Sequence, residues 1–106
     1  MVRDNKRRFS RFHGELKAQY FLKEHKASWK ECTVTNISRK GAGIRFHPGE
    51  KINVGSTIHL EIFLPTELEP LAVEGVILRI DQAGNNLVGS IELTKLLDEN
   101  QWSKIG

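Results

Sequence analysis

Apolar and polar residues alternate along most of this chain. Between Glu15 and Lys23, Leu16, Ala18, Tyr20 and Leu22 fall on one side of a two-residue repeat, with mostly polar neighbours on the other. That is the period of a half-buried strand. The pattern resumes from Trp29 to Ile37, with Cys32 and Val34 on one face and Trp29, Glu31, Thr33 and Thr35 on the other. The intervening "EHKA" reads as a turn, Gly41 to Phe46 as a short strand, and His47 to Gly55 as a Pro/Gly-rich loop. Ile58, Leu60, Ile62 and Leu64 alternate until Pro65 stops the ladder. Leu71 to Asp81 and Leu87 to Thr94 supply two more strands, joined by a tight turn in "QAGNN". Leu96, Leu97 and Trp102 stand near helical spacing, which predicts a short terminal helix from about residue 95. Six strands separated by turn signals predict an all-β protein: a closed or nearly closed six-stranded antiparallel barrel, capped or flanked by that helix.

The first 14 residues break the pattern. Arg3, Lys6, Arg7, Arg8 and Arg11 crowd into them against one acid, Asp4. Of 16 basic and 13 acidic residues, the remainder of the chain keeps 11 and 12, so the formal charge of +3 comes from this segment. Residues 1–14 are therefore expected to form a flexible basic arm, and 15–106 the barrel with its helix. Charge so concentrated attracts phosphates, nucleic acid or an acidic membrane surface.

At 106 residues, with 39% hydrophobic and 27% charged residues, the chain fits one folded domain with one modest core. No apolar run nears the roughly 20 residues of a membrane span, so no membrane insertion is expected. No apolar stretch follows the basic start, so a secretory signal is not expected. The lone Cys32 excludes an internal disulfide and fits a reducing cytoplasm.

Two short motifs carry the candidate chemistry. Arg7-Arg8-Phe9-Ser10-Arg11 is an RxxxR, and Asn36-Ile37-Ser38-Arg39-Lys40-Gly41 is an NxSxxG. Each alone is common. Their order, their spacing and the strand pattern between them resemble the PilZ domain family, a split-barrel type of β-barrel, over nearly the whole chain. The resemblance implies a bacterial second-messenger receptor, not an enzyme, whose ligand is cyclic di-GMP and which needs no cofactor or metal. It implies that Arg7 and Arg11 bind guanine and phosphate, and that Asn36 and Ser38 bind guanine beside Gly41.

The residue chemistry is compatible with that assignment. A guanidinium forks onto guanine O6 and N7 or onto a phosphate, and its flat face stacks on a purine. Gly41 would permit a left-handed turn or a close approach of ligand to backbone. The family more often has Asp at the position of Asn36. A carboxylate accepts from guanine N1 and N2 together, whereas an amide accepts only through its oxygen. Asn is an accepted variant there, so binding is expected to survive the exchange, at some cost in affinity. Gly89 matches the family's last-strand glycine, while Leu93 stands where an aromatic is frequent. Lys6, Arg8 and Arg39 are secondary candidate contacts. Lys6 directly precedes RxxxR, where the family's residue influences whether one ligand or a stacked pair binds; a titration giving one ligand per chain would count against a pair.

Other residues have plainer readings. His13, His25, His47 and His59 lack metal-ligand spacing. Cys32 should pack as a small apolar residue, and Glu61 and Glu74 should face solvent. Phe9 and Phe12 should anchor the arm, and Trp29 and Trp102 should cover barrel openings or hold the helix. Output is expected through ordering of the arm and an unidentified downstream protein. Two alternatives remain. One is a ligand-free PilZ-type adaptor acting by protein contacts. The other, less favoured, is a small barrel binding single-stranded nucleic acid, which needs aromatic platforms in a basic groove.

Overall fold

The computed structural model describes residues 11–25 and 28–105; Lys6, Arg7, Arg8 and Phe9 lie outside them. The strands are β1 (Arg11–Leu22), β2 (Lys30–Ser38), β3 (Gly41–Phe46), β4 (Thr57–Ile62), β5 (Leu71–Ala83) and β6 (Asn86–Leu93), followed by the helix α1 (Glu99–Ile105). They close into an antiparallel barrel in the order β1-β2-β3-β6-β5-β4, which leaves no open sheet edge.

The inward positions are those the alternation marks. Leu16, Ala18, Tyr20 and Leu22 from β1, Cys32 and Val34 from β2, and Ile58, Leu60 and Ile62 from β4 are all buried, with Leu64 just beyond. Tyr20 and Phe46 meet edge-on in the core, ring centroids 5.1 Å apart. The Tyr20 hydroxyl donates to Glu50 Oε1 at 3.3 Å. Burial first, and the Glu50 carboxylate second, push the Tyr20 phenol well above its ordinary value. Burial alone raises the Cys32 thiol to about 12, so it packs as a neutral side chain.

Three bulges interrupt the ladders, each inserting one extra residue into the strand that carries it: between His13 and Leu16 on β1, between Val34 and Asn36 on β2, and between Ile77 and Arg79 on β5. A bulge re-aims the residues that follow it. The first hides the start of β1 from sequence reading. Pairing runs back to Arg11↔Ser38, so Arg11 to Gly14 belong to the strand and not to an arm ending at Gly14. Phe12 packs against the core and fixes this end in place.

The helix starts four residues later than the spacing suggests. Leu97 is buried and its N–H donates to the Arg39 carbonyl at 2.8 Å, which ties that segment to the β2–β3 turn. Asp98 then caps the helix: the Gln101 N–H donates to Asp98 Oδ1 at 2.7 Å, and the Asp98 N–H to Gln101 Oε1 at 2.9 Å. This reciprocal pair is a capping box. Trp102 and Ile105 seat the helix on the core. Trp29 does neither of the things expected of it: it is 44% exposed and meets Phe21 edge-on, beside His59 stacked on that same ring. The β5–β6 hairpin turns through Gly84 at φ +63°, as the first position of a II′ turn requires.

Candidate functional site

The β2 bulge decides where the second motif points. Strict alternation from Cys32 and Val34 would put Asn36 inside. The extra residue, Thr35, turns Asn36 outward and leaves Ile37 to fill the core. Asn36 then lies in a cross-strand row, His13–Asn36–Gly43–Ser90–Arg79, that runs across five strands on the outer wall. An added Cβ at Gly43 would collide with the Asn36 amide nitrogen, so the amide lies over a position without a side chain.

Arg11 joins the motifs. Its Nη1 donates to Asn36 Oδ1, and its Nη2 donates to Ser38 Oγ at 3.3 Å. Asn36 Nδ2 donates in turn to Thr35 Oγ1 at 3.3 Å. The guanidinium of the first motif is thus held against both polar residues of the second, 25 and 27 positions along the chain.

Ser38 is buried, and its hydroxyl ties the β2–β3 turn. It accepts from the Lys40 and Gly41 N–H groups, each at 3.3 Å, and donates to the Gly41 carbonyl at 3.4 Å. Gly41 is not in the left-handed region. A Cβ there would come within 2.7 Å of the Ile91 carbonyl oxygen, so the glycine accommodates the backbone of β6. Arg39 leaves the motif altogether: its Nε donates to the Leu97 carbonyl at 2.7 Å, on the helix side.

Arg11, Asn36 and Gly41 border an open groove of about 530 Å³ on the outer face of β3, β6 and β5. Arg11, Thr35 and Asn36 form one wall, and Leu78, Arg79 and Asp81 the other. The floor is low because Gly43 and Ser90 occupy its centre. No aromatic side chain lines it among the described residues; the exposed Trp29 and Phe63 lie outside it. Among the described residues, then, the groove has no stacking platform of the kind a single-stranded nucleic-acid site uses. No described helix is long and apolar enough to cross a membrane.

Sequence reading singled out Arg11, Asn36, Ser38 and Gly41; the fold places Arg11, Asn36 and Gly41 on this groove, and Ser38 buried beside it in contact with Arg11. It did not single out Gly43, Arg79, Asp81 or Ser90. A signal existed for Arg79: continuing the inward phase of Leu71, Val73, Gly75 and Ile77 would bury a guanidinium, which marks a slip in register.

The family model described as PilZ domain matches residues 5–105. No curated protein matches the sequence. Among solved structures, the chain is similar to the Bacillus subtilis inhibitor of motility, MotI/DgrA, at 21% identity and TM-score 0.73, over 93% of this chain and 47% of that one. The chain thus spans about half the length of that relative. It is similar to the PilZ domain of YcgR from Escherichia coli, solved with c-di-GMP, at 12% identity and TM-score 0.70, covering 95% and 86% of the two chains. It also resembles the PilZ domain of CeSA from a cellulose-synthesizing bacterium, at 14% identity and TM-score 0.62, covering 91% and 90%. Likenesses at these identities establish the fold.

Proposed function

The chain belongs to the PilZ domain family, and from that premise we propose that it is a receptor for cyclic di-GMP that acts by binding, without chemistry of its own. The observation that carries the reading is the Arg11 bridge: one guanidinium touches both Asn36 and Ser38 at the mouth of the groove. A cyclic dinucleotide presents phosphates and purine edges together. Arg11 is the group that matches both, forking onto either a phosphate or guanine O6 and N7.

In this reading Arg11 and Asn36 exchange their mutual hydrogen bond for bonds to the ligand. The Asn36 oxygen accepts from a guanine N–H, and the freed guanidinium turns to the base or to a phosphate. Ser38 contributes mainly by shaping the turn, since its hydroxyl is already committed there. Arg7, four residues before Arg11, would close over the ligand from the preceding segment, with Lys6 and Arg8 adding positive charge. Ordering of that segment would change the surface offered to a downstream protein, which makes it the two-state element of the signal.

Thermal unfolding with added ligand tests the proposal. Cyclic di-GMP at 100 times its dissociation constant stabilises the fold by about 2.7 kcal/mol if it binds only the native state. A melting temperature unmoved by millimolar cyclic di-GMP would leave the adaptor reading in its place.

A further inference from the structure

The far wall of the groove repeats the chemistry of the near one. The β5 bulge turns Leu78 and Arg79 outward together, and Asp81 follows on the same face. Arg79 Nε donates to Asp81 Oδ2 at 2.9 Å. At one end, then, a guanidinium bonds to the Asn36 amide oxygen; at the other, a guanidinium bonds to a carboxylate. Arg79 and Asn36 share one cross-strand row with only Gly43 and Ser90 between them. Three interstrand gaps of about 4.8 Å separate their backbones by roughly 14 Å. The Arg79 and Asp81 side chains are 74% and 53% exposed, so their ion pair is weak in water and readily exchanged for another partner.

We propose that Arg79 and Asp81 form a second guanine-reading pole, so that the groove engages the two bases of one cyclic dinucleotide at opposite ends. This rests on the cyclic di-GMP reading above. Asp81 supplies what Asn36 lacks: a carboxylate that accepts from guanine N1–H and N2–H together. Arg79, released from Asp81, reaches O6 and N7 or the nearer phosphate. Adenine presents an unprotonated N1 and no amino group at C2, so its edge sets acceptor against acceptor at Asp81. Asp81 is thus the residue that discriminates between the bases, and Arg79 adds affinity. The low floor over Gly43 and Ser90 lets the sugar–phosphate ring lie between the poles.

The test is calorimetric titration of the wild type and of Arg11→Ala, Arg79→Ala and Asp81→Asn variants with cyclic di-GMP and with cyclic di-AMP, each protein's melting temperature being checked first. Arg79→Ala should weaken cyclic di-GMP binding about tenfold to a hundredfold, the usual value of one bidentate base contact. Asp81→Asn should shrink the preference for cyclic di-GMP over cyclic di-AMP by about tenfold, with the fold intact because both side chains are exposed. Wild-type affinity and preference in both variants, alongside lost binding in Arg11→Ala, would overturn the second pole and leave the receptor reading standing. A wild type that takes up neither dinucleotide would overturn both.

Discussion

Asn36 lies directly across the β2–β3 ladder from Gly43, and its amide occupies the space where a side chain at position 43 would begin. The obstacle to a larger residue is the end of a side chain that can rotate. Gly43→Ala should therefore cost little stability, within about 1 kcal/mol, but should swing Asn36 away from Arg11. Cyclic di-GMP affinity should fall about threefold to tenfold, the value of the one neutral hydrogen bond that the Asn36 oxygen would no longer accept from guanine. A titration paired with a melting curve separates the two effects.

Gly41 makes the opposite case. Its close neighbour is the Ile91 carbonyl oxygen, part of the β6 backbone, and cannot turn aside. Gly41→Ala should force β3 and β6 apart and destabilise the barrel by about 1–3 kcal/mol, the range for overpacking. Urea unfolding of the two glycine variants side by side should show the larger loss at position 41.

Ser38→Ala removes the hydroxyl that accepts from the Lys40 and Gly41 N–H groups. Leaving the buried Gly41 N–H without this partner costs about 1–3 kcal/mol, so a lower urea midpoint is expected in the absence of any ligand. If Ser38 served only the ligand, the unliganded midpoint would not move.

Cys32 should be silent in the native state. Burial raises its thiol from the ordinary 9.0 to about 12, so the thiolate needed for attack is scarce near neutral pH. A disulfide reagent at pH 8 should react at the rate of unfolding and promptly once urea is added. The folded thiol keeps its proton where the unfolded one has lost it. Its contribution to stability is therefore complete below pH 9 and declines as pH rises toward 12.

Much of the barrel was legible because its core residues sit on an unbroken two-residue repeat: Leu16 to Leu22 on β1 and Ile58 to Ile62 on β4. A closed or nearly closed barrel followed from six strand segments with turns between them. What escaped were the bulges, because one inserted residue leaves consecutive side chains on the same face and erases the period locally. His13, Gly14 and Glu15 are all exposed, so the beginning of β1 looked like an arm. Thr35 with Asn36, and Leu78 with Arg79, are the other two slips, and both lie on the groove's walls. Motif spacing found Arg11 and Asn36. Arg79 and Asp81 belong to no short motif; Arg79 reaches the groove through the row that pairing creates across β2, β3, β6 and β5, and Asp81 stands two residues on, bonded to it.

The helix boundary missed for a different reason. Leu96 and Leu97 fall at helical spacing before Trp102, but Leu97 is buried by its link to Arg39, a contact 58 residues away in sequence. No local pattern carries that information.

The receptor reading stands or falls on a calorimetric titration of the chain with cyclic di-GMP, set against an Arg7→Ala/Arg11→Ala double variant of unchanged melting temperature. Saturable uptake by the wild type, lost in the variant, is the predicted result. Equal uptake by both proteins, or none by the wild type at high micromolar ligand, would contradict it.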